Sequence, residues 1–261
     1  MQAPPSIMTT KLLNKVPEVT LFFWIIKTLA TTVGETGADF LNVKLGFGLN
    51  GTSLVMGAML LITLFVQVAS SRYVPWKYWL AVVLLSVVGT LITDNLTDNL
   101  GVSLFVSSGV FSLALVATFV LWDAVEHTLS VHFITTRKRE LFYWAAILFT
   151  FALGTAAGDL MGEKLQLGYA LSTVVFAAMI AAIAFAHYVF RLNGIAAFWM
   201  AYILTRPLGA STGDLLSKPL ADGGFGLGTT VTSGVFLAVI VTLVAYLTVQ
   251  RRHETAMPAL T

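Results

Sequence analysis

One pattern of residues occurs four times in the chain and restricts its fold more than any other sequence feature. Each copy has an aromatic residue followed by Trp, then a Gly ten residues after the Trp and an Asp five residues after the Gly. The two halves of the chain match at an offset of 120 residues, so we expect a duplicated architecture of four similar units. The triplets are Trp24/Gly34/Asp39, Trp79/Gly89/Asp94, Trp144/Gly154/Asp159 and Trp199/Gly209/Asp214.

Long apolar runs separate the charged residues, and their lengths predict membrane-spanning helices. Charged residues make up 11% of the sequence and hydrophobic residues 57%, whereas soluble domains are about 25% charged. This composition excludes a soluble globular enzyme, a disordered chain and a nucleic-acid-binding protein. A bilayer core of about 30 Å needs about 20 apolar helical residues. We therefore predict an all-α, polytopic membrane protein with eight transmembrane helices, near 18–40, 52–71, 78–98, 102–122, 141–161, 168–190, 195–216 and 228–249.

A short glycine-containing element follows each repeated Asp and begins the second helix of each unit. It reads Gly-Phe-Gly-Leu at 46–49 and 224–227, Gly-Val-Ser-Leu at 101–104 and Gly-Tyr-Ala-Leu at 168–171. Each unit is therefore predicted to be a helical hairpin, and the two halves are parallel repeats about an axis along the membrane normal. The predicted divisions are an N-terminal segment over 1–17, repeats over 18–77, 78–140, 141–193 and 194–250, and a tail over 251–261.

Lysines and arginines concentrate in alternate loops, and this asymmetry predicts the orientation of the chain. By the positive-inside rule, the richer side is cytoplasmic, so both termini are predicted to lie in the cytoplasm. No small-residue cleavage site follows a short apolar run at the start, so we expect no cleavable signal peptide. The richer side has Lys11, Lys15, Arg72, Lys77, Arg137, Lys138, Arg139, Arg191, Arg251 and Arg252, and the other side has Lys44, Lys164 and Lys218.

The four repeated aspartates are the main candidate functional residues. A helical rise of 1.5 Å per residue places each Asp about 22 Å beyond its Trp, in the outer half of the membrane. Carboxylates at such a depth usually face the interior of a helix bundle and mark ion pathways. Further acids lie four residues from three of these aspartates, and Lys218 lies four residues after the fourth. The predicted cation-binding residues are Glu35, Asp39, Asp94, Asp98, Asp159, Glu163 and Asp214.

The ligand chemistry of these acids predicts the class of cation. The chain has no cysteine, which excludes disulfides and thiolate metal sites. Carboxylate and hydroxyl oxygens suit hard or borderline divalent cations such as Mg²⁺, Ca²⁺ or Mn²⁺. Clustered acids can alternatively act as proton carriers.

Two cations within the predicted spans are candidate counter-charges or gating residues. Lys27 lies near the cytoplasmic interface, where we expect its side chain to snorkel toward water. Arg206 lies deeper, beside Pro207, and is predicted to pair with an acid across the bundle. The repeated tryptophans are predicted to anchor the cytoplasmic interface. The repeated glycines, which permit close helix approach or act as hinges, are Gly34, Gly89, Gly154 and Gly209.

The segment 123–132 forms the long connection between the two halves and is a second candidate site. Asp123 and His127 are four residues apart and are predicted to share a helix face, with His132 nearby, as in a metal or pH sensor. A solvated helix end is the simpler interpretation. The chain contains no phosphate-binding loop, nucleophile elbow or zinc-protease motif, so we predict that it is not an enzyme.

Two copies of the repeat, Gly-Glu-Thr-Gly-Ala-Asp and Gly-Thr-Ala-Ala-Gly-Asp with their aromatic-Trp leads, give the chain a family resemblance. It resembles a family of bacterial multipass proteins built from a repeated domain of unknown function and loosely described as membrane-anchored. The resemblance extends from Val16 to about Val249 and implies a bacterial inner-membrane setting without an activity. The first motif is also similar to the acidic Gly-Asp motifs of small bacterial manganese and calcium exporters.

These observations predict a secondary transporter or exporter of a cation, with a divalent metal such as Mn²⁺ as the favoured substrate. Intramembrane Asp and Glu would bind the ion and could exchange protons for it. A cation channel, an organic-cation/proton antiporter and a non-transporting membrane sensor or scaffold remain alternatives. We expect no resident cofactor and no nucleic-acid partner; the partners are the lipid bilayer and the cation, and the oligomeric state is open.

Overall fold

The computed structural model describes residues 14–256, and side chains only as far as residue 251. The described chain is helical and contains no strand. The predicted N-terminal segment as far as residue 13, with Lys11, and the end of the predicted tail over 257–261 lie outside the described residues. The eight long helices are α1 (Leu21–Asp39), α2 (Gly48–Ala69), α3 (Pro75–Asp94), α4 (Leu104–Glu126), α5 (Arg137–Asp159), α6 (Gly168–Phe190), α7 (Gly194–Ser217) and α8 (Gly228–Ala256).

Local sequence explains where several of these helices begin. The side chains of Thr20, Ser103, Thr136 and Asn193 accept hydrogen bonds from backbone N–H groups in the first turns of α1, α4, α5 and α7. The Thr136 cap begins α5 at Arg137, four residues before the predicted boundary of 141. Short π-helical turns extend α1, α3 and α5 over Phe40–Lys44, Asn95–Asn99 and Leu160–Lys164.

The first helices of the four repeats form a closed ring. Helix α1 packs against α3, α3 against α5, α5 against α7, and α7 against α1. At each contact the repeated Gly of one helix packs against a residue of the next helix, and this residue always precedes the Gly of its own helix by three positions. The ring helices therefore run parallel and in register. A Cβ atom on Gly89, for example, would lie 2.7 Å from the Cβ of Phe151. The pairs are Gly34 with Ser86, Gly89 with Phe151, Gly154 with Arg206 and Gly209 with Thr31.

These contacts show that the repeated glycines permit close approach of the ring helices. Glycine places no side chain between two backbones, so the helix axes can come closer than with any other residue. Helices α1, α3, α5 and α7 continue through their glycines. The hinge role stays a prediction.

The second helices of the repeats surround the ring. Helix α2 packs on α3, α4 on α5, α6 on α7, and α8 on α1. The second helix of each repeat therefore covers the first helix of the following repeat, and the last repeat covers the first. The outer surfaces of these helices are apolar: Leu54 is 76% exposed and Leu113 is 71% exposed.

Six described helices are long and apolar enough to cross a membrane: α2, α3, α4, α5, α6 and α8. Large apolar side chains exposed on an outer layer need a lipid environment, which indicates a multipass membrane protein. Helices α1 and α7 contribute charged side chains to the interior of the ring, including Lys27, Glu35, Arg206 and Asp214.

Aromatic side chains fill the end of the ring that contains the repeated tryptophans. Trp79, Trp144 and Trp199 are buried, so their predicted role as interfacial anchors is wrong, whereas Trp24 is half-buried and for it the role stays a prediction. The indole of Trp199 donates a hydrogen bond to the carbonyl of Leu129 at 2.9 Å. The hydroxyls of Tyr78 and Tyr143 lie 2.5 Å apart inside this layer, and either can be the donor. The large rings pack against one another because the parallel helices bring four aromatic pairs to the same level.

A buried ion pair holds the start of the described chain against this end of the ring. Lys15 donates hydrogen bonds to the carboxylate of Glu140 at 2.6 Å and to the carbonyl of Val68 at 2.9 Å. The same carboxylate accepts hydrogen bonds from Gln67 and from the indole of Trp144. The positive-inside rule counted Lys15 among the charges of the cytoplasmic side. The residue is 4% exposed, so it is buried in the protein and does not lie free in a loop.

Candidate functional site

The guanidinium of Arg206 lies inside the ring and bonds to the three other ring helices. It donates to the carbonyl of Thr31 on α1 at 2.5 Å, to the carboxylate of Glu35 on α1 at 3.1 Å and to the hydroxyl of Thr155 on α5 at 2.7 Å. It also bonds to the hydroxyl of Thr90 on α3. Glu35, Thr90 and Thr155 each follow a repeated Gly. Equivalent positions of three repeats therefore converge on one buried arginine, and an ion pair with Glu35 satisfies its charge.

Lys27 lies on α1 four residues, about one helical turn, before Thr31, whose carbonyl accepts a hydrogen bond from Arg206. Its ammonium donates a hydrogen bond to the hydroxyl of Thr205 at 2.8 Å. It lies 4.5 Å from the ring centre of Phe151 and 4.2 Å from that of Tyr202. The side chain is fully buried, so the prediction that Lys27 snorkels toward water is wrong. Cation–π contacts with two ring faces replace water around its charge.

Three carboxylates from three ring helices converge beyond Arg206. One oxygen from each of Glu35 on α1, Asp159 on α5 and Asp214 on α7 lies within 4.8 Å of the other two. We call these three residues the carboxylate cluster. Glu35 and Asp214 are buried, whereas Asp159, at the end of α5 opposite the repeated Trp, is partly exposed. Carboxylates this close repel one another unless cations or protons lie between them.

A lysine lies beside the cluster. The ammonium of Lys218 is 3.1 Å from a carboxylate oxygen of Asp39 and 3.7 Å from one of Asp214. Burial alone would lower the pKa of Lys218, but the carboxylates of Asp39 and Asp214 outweigh burial and raise the pKa above its ordinary value.

The other predicted cation ligands lie farther out. Asp94 is partly exposed, whereas Asp98 and Glu163 are exposed. Asp98 accepts a hydrogen bond from Thr97 at 3.2 Å, and Glu163 accepts one from Tyr169 at 3.3 Å. Of the seven predicted ligands, the structure therefore brings Glu35, Asp159 and Asp214 together and links Asp39 to them through Lys218.

The connection between the halves does not assemble the predicted sensor. Asp123, His127 and His132 are all exposed, and the only group of three or more potential metal ligands among the described residues is the carboxylate cluster. His127 has a left-handed backbone with φ of 55°, so α4 ends before it and Asp123 and His127 do not share a helix face. Glu126 instead pairs with Arg139 at 2.6 Å.

Sequence reasoning did not identify two pairings that the structure shows. One is Lys218 with Asp39, and the other is Lys15 with Glu140. The first had a signal: a lysine in the fourth repeat stands where two other repeats have acids. The second had none, because its partners are 125 residues apart and lie outside the repeated pattern.

Comparison with known families agrees with the repeated architecture. No curated protein and no solved structure matches the chain. The model of one family, described as Repeat of Unknown Function (DUF347), matches four times, at residues 22–73, 77–128, 142–193 and 197–253. Each match covers most of one ring helix and of the outer helix that follows it. The chain therefore belongs to the DUF347 repeat family.

Proposed function

We propose that the protein is a secondary transporter of a cation, and that a divalent metal such as Mn²⁺ binds at the carboxylate cluster. The convergence of Glu35, Asp159 and Asp214 from three repeats is the observation that carries this proposal. Three oxygen ligands from separate helices can move apart when the helices move, as a carrier requires. Oxygen ligands without sulfur favour Mn²⁺, Mg²⁺ or Ca²⁺.

The balance of charge around the cluster supports a cationic substrate. Among the described residues, Arg206 neutralises Glu35 and Lys218 lies between Asp39 and Asp214. Asp159 has no ion pair within 4 Å there, and Asp94 on α3 has none either. Lys218 balances only one of the charges of Asp39 and Asp214, so with Asp159 and Asp94 three negative charges are in excess. One divalent cation with one proton, or three protons, would balance them. The same carboxylates could therefore exchange a metal ion for protons.

The interior of the ring beyond the cluster is closed, which favours a carrier over an open channel. Arg206 and Lys27 lie in sequence between the carboxylates and the aromatic end. Two unit charges 4 Å apart interact by about 4 kcal/mol at an effective dielectric constant of 20, and a divalent cation doubles this repulsion. A metal ion therefore passes only after the two basic side chains move.

Arg206 is the candidate gate because its bonds join the two halves of the chain. Its own helix, α7, belongs to the second half, whereas Thr31, Glu35 and Thr90 belong to the first. Rocking of one half against the other would break these bonds and open the ring toward the aromatic end. With eight transmembrane helices and both termini in the cytoplasm of a bacterium, the cluster would open to the outside of the inner membrane.

Flux measurements in liposomes test the proposal. The purified full-length protein would be reconstituted, and Mn²⁺ flux measured with and without a pH gradient. We expect saturable flux that Asp159→Asn lowers at least about tenfold, since the variant removes one cluster ligand and disrupts no ion pair that the structure describes. Asp222→Asn is the matched control because Asp222 is exposed in a loop. Absence of divalent flux, or equal flux through both variants, would contradict the proposal.

A further inference from the structure

The fourth repeat departs from the other three just after its Asp. Helices α1, α3 and α5 are each extended by a five-residue π-helical turn. Helix α7 instead ends at Ser217, and Lys218 adopts an extended backbone before Pro219. Four residues after the repeated Asp, the first three repeats have Val43, Asp98 and Glu163, whereas the fourth has Lys218. A cation thus replaces an acid or an apolar residue at one repeat position.

The loop after α7 fixes the backbone of Lys218. Its carbonyl accepts a hydrogen bond from the N–H of Gly226 at 2.9 Å, and its N–H donates to the carbonyl of Asp214 at 2.8 Å. Gly224 lies so close that a Cβ atom there would collide with the carbonyl of Lys218. The lysine side chain therefore starts from a held position and extends to Asp39 on a different ring helix.

Two other lysines at the same end of the ring provide a contrast. Lys44 and Lys164 end the π-helical turns of the first and third repeats, and both are exposed. Neither is within 4 Å of an acid among the described residues, whereas Lys218 contacts two. The pairing of Lys218 is thus specific to the fourth repeat and is not a general property of lysines at this end.

We propose that the ammonium of Lys218 is a tethered competitor for the cation, which must displace it from Asp39 and Asp214 to bind. This inference rests on the proposed function, because it assigns a role within the same site. A monovalent ion that displaces the ammonium only replaces one positive charge by another, so the attraction to the carboxylates does not increase. A divalent ion brings one more positive charge than the ammonium that it displaces. Lys218 therefore makes the site selective for divalent over monovalent cations.

Direct binding of Mn²⁺ to the purified full-length protein tests this role without requiring transport. Free Mn²⁺ would be quantified by electron paramagnetic resonance in detergent for the wild type, Lys218→Gln, Lys218→Arg and Lys164→Gln. Removing the competing charge should tighten Mn²⁺ binding at least about tenfold in Lys218→Gln. Na⁺ at 100-fold excess over Mn²⁺ should weaken binding to that variant far more than to the wild type. Lys218→Arg keeps the charge and Lys164→Gln leaves the site unchanged, so both should resemble the wild type.

The possible results separate this inference from the proposed function. Equal or weaker Mn²⁺ binding by Lys218→Gln, or no binding to any of the four proteins, would overturn the role of Lys218. Tighter binding by Lys218→Gln without Mn²⁺ flux in liposomes would retain that role and overturn transport. Thermal unfolding provides a second readout. Without metal, Lys218→Gln should unfold at a lower temperature than Lys164→Gln, because its acids lose a counter-charge, and Mn²⁺ should reverse the difference.

Discussion

Replacing Arg206 by Met tests whether the ring depends on its central ion pair. Met keeps the first carbons of the side chain, which lie against Gly154, and removes the guanidinium. The carboxylate of Glu35, 7% exposed, then loses its cation, and the hydroxyls of Thr90 and Thr155 lose a donor. Breaking a buried ion pair by removing one partner costs about 3–5 kcal/mol. We expect the free energy of unfolding to fall by that amount.

A double-mutant cycle separates the ion pair from general damage. Glu35→Gln in the Arg206→Met background removes the uncompensated charge, so the double variant should be more stable than the sum of the single effects by about 1–3 kcal/mol. Unfolding would be followed in detergent by the fluorescence of the six tryptophans. Arg191→Met, at an exposed position, is the control and should cost less than about 0.5 kcal/mol. Additive single effects, or an Arg206→Met variant as stable as this control, would refute the reasoning.

Three further predictions concern the ring contact, the N-terminal ion pair and the connection between the halves. Gly89→Ala should destabilise the protein by about 1–3 kcal/mol because its Cβ would overlap α5. Gly109→Ala, in open space on α4, is the control and should be neutral or stabilising. Equal stabilities of the two variants in chemical unfolding would contradict this prediction. Glu140→Gln should leave the charge of Lys15 buried and unpaired, so the N-terminal segment should detach from the ring. Faster hydrogen exchange at residues 14–16 would show this detachment. Unchanged exchange would mean that the ion pair does not hold the segment in place. His132→Ala should leave cation flux unchanged, since His132 is exposed and outside the carboxylate cluster; a large loss of flux would favour the sensor interpretation.

The extent of the helices and the positions of the repeated residues along them could be predicted from the sequence, because both depend on local spacing. The eight helices, the repeated frame and the acids at one level of the bundle all follow from runs of apolar residues and fixed intervals. The environment of Lys27 could not be predicted in the same way. Its position near a helix end predicted an ammonium in contact with water. In the structure the rings of Phe151 and Tyr202 contact the ammonium instead, and these two residues belong to other repeats.

The burial of the tryptophans shows the same limit. An aromatic-Trp pair near a helix end is typical of an interfacial belt, and sequence spacing alone does not distinguish a lipid-facing from a ring-facing side. Trp79 is 1% exposed because the parallel ring helices place its ring against Phe23 of α1. The direction in which a side chain points depends on how each helix is rotated about its own axis, and packing against neighbours decides that rotation.

By itself the sequence determined a fourfold, all-helical architecture typical of a membrane protein, with a carboxylate at the same position of each repeat. Only the tertiary structure decided that α7 closes the ring against α1, and this closure brings Arg206 to Glu35 and Lys218 to Asp39. These partners are 171 and 179 residues apart in the chain. Local periodicity acts over a few turns of helix, whereas a contact over such a separation depends on the packing of the complete ring.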